Sequence, residues 1–309
     1  MDKLNVIIPV YKPDESFSDI LACIKKQSIK PERIILMWTL PDGSSDDVKS
    51  SIEEKYADNI TNIYYVNQSE FDHGGTRRLA ADKADAEYIL CMTQDCKPYD
   101  DLLIESLMDA IDNEAVAAAY ARQIPYDNCN EAEKIVRRFN YPDEERIQNK
   151  DSLKKYGIKT YFCSNVCAIY RKSAYNSVGG FVEKTIFNED MIMAAGLVDN
   201  GYSIKYAAKA KVYHSHNYTC MQQFRRNFDL AVSHKQYYDI FSRVSSESEG
   251  IKMVITVVKK LLFSRFFYLI PMFIINSGYK YMGYRKGLNY EKMSRKKVLK
   301  YTMNRSYWS

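Results

Sequence analysis

LNVIIPV, Leu4 to Val10, is a short apolar run rich in β-branched residues, the composition of a strand buried on both faces. Pro13 and Asp14 break it. From Ser16 to Gln27 the apolar residues Phe17, Ile20, Leu21 and Ile24 recur at helical spacing. Pro31 and Glu32 punctuate a turn before a second strand, Arg33 to Trp38. The loop PDGSSDD, Pro41 to Asp47, leads to a predicted helix over Val48 to Tyr56 and a third strand over Ile60 to Val66. Gly74 and Gly75 precede a helical stretch, Arg77 to Ala86, and Tyr88 to Met92 is a fourth strand followed by Thr93-Gln94-Asp95. Strand and helix alternate at roughly 30 residues per unit, which predicts right-handed βαβ crossovers and an α/β fold with helices on both faces of a parallel sheet. Ligands of such sheets sit beyond the carboxyl ends of the strands. Tyr11, Asp42, Asp72 to Thr76 and Asp95 all follow carboxyl ends, so they are expected to cluster.

Further along, Leu102 to Asn113 reads as a helix, the charged stretch Asn140 to Tyr156 as a flexible loop, and Tyr161 to Tyr170 as a strand. Gly179-Gly180-Phe181 is a turn, Glu189 to Asn200 a helix closed by Gly201, and Ser203 to Tyr213 a strand. Beyond Thr219 the chain is helical and basic. The net charge of +5 conceals this asymmetry. From Gly250 onward there are 13 Lys and Arg against one acid, Glu291, while the first 249 residues carry 31 basic and 38 acidic side chains. A basic tail on an acidic body implies an anionic partner. Phospholipid is preferred to nucleic acid, because the body is acidic and no nucleic-acid motif is visible. The longest charge-free segment of the tail, Phe266 to Tyr279, falls short of the ~20 residues of a membrane span, so the tail is expected to lie on a membrane surface. The same interleaving of apolar and basic residues over Val254 to Phe273 also fits a helix packed on the body or an oligomer contact. Seven scattered cysteines with no CxxC pair, and no secretory signal, are expected of a reduced cytoplasmic protein in which the thiols are small core residues.

GxGxxG, the Walker loop, GxSxG and HExxH are all missing, which excludes the common dinucleotide, P-loop and hydrolase readings. What remains is Asp95 after strand four, Glu189-Asp190 at a helix start, and His214 after a late strand. Each has a plain structural alternative: a strand-end turn for Asp95, helix capping for the acidic pair. His214 and His216 lie two residues apart on extended chain and so face the same side; one is expected to bind metal, His214 by preference, and the other to be structural.

Taken in order, VIIPVYK, DGSSD (Asp42 to Asp46), TQDC (Thr93 to Cys96), GGF followed by Asn188-Glu189-Asp190, and GYSIKYAAKAKVYH (Gly201 to His214) resemble the inverting nucleotide-sugar glycosyltransferases of family 2. FDHGGTR (Phe71 to Arg77), TQD in place of DxD, and the stretch His214 to His234 are similar to that family's rhamnosyltransferase branch. The resemblance implies a GT-A fold, a Rossmann-like mixed sheet over residues 1–220, with 221–309 a helical extension that meets a membrane surface or another copy of the chain. It implies a divalent metal, Mn²⁺ or Mg²⁺, held by Asp95 and His214, with Asp190 as general base and Glu189 orienting either that base or the acceptor. It places Pro9, Tyr11, Asp42, His73, Gly74, Gly75, Arg77, Gln94 and Asp95 about the donor, Arg77 at the diphosphate or the base. Asp72 and His73 either join the donor site or fix their loop, and Gly74 and Gly75 could simply relieve a tight turn. The implied donor is dTDP-L-rhamnose. The acceptor is a lipid-linked saccharide of a bacterial cell-surface polysaccharide at the inner face of the cell membrane. Another nucleotide sugar, or a catalytically silent binding or scaffold protein, are the competing readings.

Overall fold

The computed structural model describes residues 3–243 and 247–308, without the side chains of 247 and 248. β1 (Leu4–Val10), α1 (Ser16–Lys25), β2 (Arg33–Leu40), α2 (Asp46–Tyr56), β3 (Thr61–Asn67), α3 (His73–Lys83) and β4 (Tyr88–Met92) alternate as the spacing predicts. They form a parallel sheet half in the order β3-β2-β1-β4. α3 starts earlier than expected, because the Asp72 carboxylate caps it by accepting from the N–H groups of Gly74 (2.9 Å) and Gly75 (2.8 Å). The two glycines therefore lie in its first turn.

The second half is mixed. It contains β5 (Lys97–Pro98), α4 (Leu103–Ile111), β6 (Val116–Ile124), α5 (Glu131–Asn140), β7 (Arg146–Gln148), α6 (Leu153–Tyr156), β8 (Cys167–Arg171), α7 (Lys172–Ser177), α8 (Glu189–Asp199) and β9 (Ser203–Tyr213). β8 runs antiparallel to both β4 and β6, and β9 parallel to β6. Two reversals restore direction, so β9 ends at the same edge as β4. Phe17, Trp38 and Tyr56 pack with α1 and α4 on one face. Ala80, Met193 and Leu197 from α3 and α8 fill the other.

Three sequence expectations fail in this half. β6, VAAAYARQI, went unread because alanine is a poor strand former; its small side chains are wholly buried between β8 and β9. The strand expected over 161–170 is confined to β8, and 157–161 coil into a 3₁₀ turn instead. The stretch 140–156, expected to be flexible, carries β7 and α6. Buried Gln148 holds it: its amide donates to the carbonyls of Lys159, Thr160 and Phe162, and its oxygen accepts from Tyr120.

α9 (Cys220–Gln236), α10 (Tyr238–Phe241), α11 (Glu247–Leu262), α12 (Ile270–Gly287) and α13 (Arg295–Tyr301) complete the chain. Among the described residues no helix is long and apolar enough to cross a membrane. α12 crosses α9 through Gly283 and Gly287, where a Cβ would lie 2.1 Å from the Phe224 carbonyl oxygen and 2.3 Å from that of Phe228. Gly278, in the same helix, has open space around it. Gly283→Ala should therefore destabilise the protein by ~1–3 kcal/mol in urea unfolding, whereas Gly278→Ala should stabilise it by up to ~1 kcal/mol.

Candidate active site

The shared edge of β4 and β9 brings Asp95 against His214 and His216. Nε2 of His214 lies 3.5 Å, and Nε2 of His216 3.3 Å, from Oδ2 of Asp95. Arg137 donates to Oε1 of Gln123, which fixes that atom as an acceptor. His214 Nδ1, 2.9 Å from the same oxygen, is then the protonated nitrogen, and Nε2 keeps its lone pair. Burial lowers the pKa of His214 although Asp95 opposes it, and burial followed by His214 lowers that of His216 to about 4. Burial would raise Asp95, but the hydrogen bond and charge of His214 and then the charge of His216, in their protonated forms, draw its carboxyl below the usual range. Two neutral imidazoles and a carboxylate, with ligand atoms all within 4.8 Å of one another, are a donor set suited to a divalent cation. Both histidines, not one, face the carboxylate.

The acidic pair opens α8 directly after Asn188, whose φ of 63° is the left-handed conformation asparagine tolerates. Glu189 is buried and ion-paired with Arg77 at 3.0 Å, and it accepts from Asn165 Nδ2 at 3.3 Å. Asp190 accepts from the backbone N–H of Asn165 (3.3 Å) and of Met191 (2.7 Å). Burial raises both acids, but at Glu189 the Arg77 charge prevails and the pKa falls. At Asp190 burial and the neighbouring Glu189 carry it up to about 7. Paired carboxylates driven apart in this way are the pattern from which an ionised acid and a candidate base poised near neutrality can be built. The two clusters are joined: His214 bonds Gln123, Gln123 donates to Ser164 (3.0 Å), and the next residue, Asn165, holds both acids.

A cavity of about 550 Å³ is lined by Tyr11, Phe71, His73, Phe187, Tyr218 and Arg226 among others; neither the metal cluster nor the acid pair is in its lining, and Tyr218, stacked on His216, joins the two regions. Of the expected donor residues, Tyr11 and His73 line it, His73 with its pKa lowered to about 4 by burial. The rest are placed differently. Gln94 clamps the Tyr11 main chain from both sides (2.7 and 3.0 Å), so it orients Tyr11. Asp42 accepts from the Ser69 N–H, tying two loops together, and Pro9 is paired within β1 opposite Met37. Gly74 and Gly75 permit contact with the loop after GGF, since a Cβ would lie 2.3 Å from the Val182 carbonyl oxygen and 2.6 Å from that of Glu183. Asp72 fixes that loop, accepting from Thr185 N–H as well as from the helix N-terminus. Arg77 is spent on Glu189. One guanidinium that does face the cavity is Arg226, 4.5 Å over the Phe187 ring and with no ion pair among the described residues. The sequence reading passed over it as one more basic residue. The signal was the pair Arg225-Arg226 in the second turn of a helix whose start is marked by the capping box Thr219–Gln222.

The profile of Glycosyl transferase family 2 matches residues 5–179. The chain belongs to glycosyl transferase family 2. It is 34% identical over 309 residues to the O-antigen chain rhamnosyltransferase RfbN of Salmonella typhimurium, covering 99% of this chain and 96% of the relative. It is 34% identical over 312 residues to the O-antigen chain rhamnosyltransferase WbaN of Salmonella anatum, covering 100% and 96%. The resemblance to the rhamnosyltransferase branch therefore extends along the whole chain. Among solved structures, the mannosyltransferase PcManGT from Pyrobaculum calidifontis in complex with GDP-Man and Mn²⁺ shares the fold, with a TM-score of 0.64 at 12% identity over 94% of this chain and 88% of the other. This glycosyltransferase has the GT-A architecture, with added C-terminal helices.

Removing Arg77 would leave Glu189 charged and buried. Arg77→Met is expected to cost about 3–5 kcal/mol in equilibrium unfolding. The double variant Arg77→Met/Glu189→Gln should recover most of that loss.

Proposed function

We propose that this glycosyltransferase transfers L-rhamnose from dTDP-L-rhamnose to a lipid-linked saccharide, with inversion, in the synthesis of an O-antigen-type bacterial polysaccharide. One observation carries the chemistry: Asp190, raised towards neutrality beside an ionised Glu189, at the end of a hydrogen-bonded path from the Asp95, His214, His216 cluster. The donor and the pathway rest on the two Salmonella relatives, which are named for O-antigen rhamnosyl transfer. A relative matching 62% of this chain at 25% identity, from Campylobacter jejuni, is named for glucosyl transfer to an undecaprenol-linked oligosaccharide, which is consistent with a lipid-linked acceptor.

Asp190 accepts the proton of the acceptor hydroxyl as that oxygen attacks the anomeric carbon. Glu189, kept ionised by Arg77, raises the proton affinity of Asp190, and Asn165 fixes the direction of both carboxylates. Arg226 and His73 face the donor in the cavity. A divalent cation held by Asp95, His214 and His216 supplies, when bound, Lewis-acid neutralisation of the departing diphosphate. Two imidazoles among the ligands favour Mn²⁺ over Mg²⁺, which prefers oxygen.

Residues 1–220 carry the metal and base groups and 221–309 the extension, the division we retain. The turn between α11 and α12 exposes Leu262, Phe263, Phe267, Tyr268 and Met272, Phe263 to 87%. Lys259, Lys260 and Arg265 flank them. This mixture suits the anionic inner leaflet, with aromatic side chains at headgroup depth and the cations against lipid phosphate.

Turnover of dTDP-L-rhamnose with Mn²⁺ and a lipid-linked acceptor should fall as pH drops below about 7, because the base must be ionised. Asp190→Asn should lose about 10²–10⁴-fold in rate without losing its fold. A carboxyl raised above its unfolded value stabilises the fold at low pH and forfeits that stability as pH rises through about 7. Above pH 7, Asp190→Asn should thus melt at a higher temperature than the unaltered chain. Normal transfer by this variant would remove Asp190 from the role of base. In vesicle sedimentation, Phe263→Ser/Phe267→Ser should release the protein from anionic vesicles, and retained binding would refute the membrane surface.

A further inference from the structure

One wall of the cavity is made neither by the family motifs nor by the strand-end loops. Met303, Asn304, Arg305 and Ser306 form it, at the far end of the chain from residues 5–179 that match the family. This strap is held at both ends. At its start, buried Asp229 of α9 accepts from the Thr302 hydroxyl (2.7 Å), the Met303 N–H (2.8 Å) and the Asn304 N–H (3.3 Å). At its end, the Tyr307 hydroxyl bonds Gln236 (3.2 Å) and Arg295 donates to the Trp308 carbonyl (2.9 Å). α13 leads into it with Val298 packed against Phe228, Val232 and Ile186.

Between these anchors the Ser306 hydroxyl donates to Asn304 Oδ1 (2.8 Å). Arg305 is exposed at the cavity and has no ion pair among the described residues. The Asn304 Nδ2 is buried without a hydrogen-bond partner. Arg226, also unpaired, lines the same cavity. Asp229, the one carboxylate in the lining, is held by the strap; its charge acts on Arg226, but it forms no ion pair with Arg226 or Arg305 among the described residues. Two cations around one cavity make a site for a multiply charged anion.

We propose that the C-terminal strap is part of the donor site: Arg305 binds the diphosphate of a nucleoside diphosphate from the side opposite the strand-end loops, and Asp229 is the positioning residue that sets it there. The inference rests on the reading of the cavity as the nucleotide-sugar site. The anion contacts of this glycosyltransferase are then divided between two distant parts of the chain, Arg226 on α9 and Arg305 on the strap.

Calorimetric titration of the full chain with dTDP, UDP and GDP in MnCl₂ tests this, beside steady-state kinetics and melting curves for each variant. Arg305→Ala should raise the dissociation constant for the bound nucleotide by about tenfold to a hundredfold, with unchanged melting temperature and unchanged Mn²⁺ binding. Arg305→Lys should recover part of that loss. Asp229→Asn should raise KM for the donor more than it lowers kcat. Combined with Arg305→Ala it should add little further loss, because both variants remove the same contact. Nucleotide binding by Arg305→Ala equal to that of the unaltered chain would overturn the strap's role alone. Fully additive losses in the double variant would overturn the positioning role of Asp229. Failure of the unaltered chain to bind any of the three nucleotides would overturn the reading of the cavity itself, and this inference with it.

Discussion

The buried ion pair between Arg77 and Glu189 is the constraint on which the candidate site depends. Two adjacent carboxylates at a buried helix start repel each other, and each is costly to ionise away from water. One guanidinium at 3.0 Å resolves this unequally, stabilising the charge on Glu189 and leaving Asp190 to bear the repulsion. A base with useful proton affinity follows from that inequality. Arg77 can reach Glu189 only because α3 lies hard against the loop that leads into α8. That closeness needs Gly74 and Gly75, where backbone oxygens occupy the space of a Cβ, and Asp72, whose carboxylate binds both the α3 N-terminus and Thr185. The GGTR run is therefore a packing device in the service of an acid pair more than a hundred residues further on.

The sheet supplies the second requirement. Parallel strands alone would bring Asp95 to the correct edge, yet His214 reaches it only because the β8 reversal occurs on both sides, against β4 and against β6. The same strands carry the bonds that link the two clusters. Gln123 at the end of β6 orients His214, and Asn165 just before β8 holds Glu189 and Asp190. The candidate metal ligands and the candidate base are thus registered to one sheet edge.

Legibility from sequence follows the range of the interactions. β1 to β4 and β9 were readable because their signal is local, apolar runs closed by turn residues, and β9 and β4 were placed to the residue. Asp95, Glu189, Asp190 and His214 were readable as candidates because motif order preserves what spacing cannot show, and the structure places Asp95 against His214 and links that cluster to the acid pair. β6 was not, since four alanines read as helix and become strand only through burial between two neighbours. Nor was the assignment of Arg77, placed by its helix-start position at the diphosphate or the base although its partner is Glu189, or of Gln94, whose amide is consumed by the main chain of Tyr11. In each case a deciding partner lies about 50 residues or more away, and residue type alone does not select among available partners.

The charge split along the chain acquires a finer meaning from α9. This helix touches both functions assigned to the extension. One face receives α12 through Gly283 and Gly287 against Phe224 and Phe228, and so supports the aromatic, basic turn proposed to meet lipid. The other presents Arg226 and Asp229 to the cavity. The basic tail therefore does not act as a uniform field. Lys259, Lys260 and Arg265 lie next to exposed aromatic side chains, whereas Arg305 lines a concave site on an anchored backbone. The aromatic, basic turn is tied to α9 through α12, and the cavity is tied to it through Arg226 and Asp229, so one helix carries both parts of the extension.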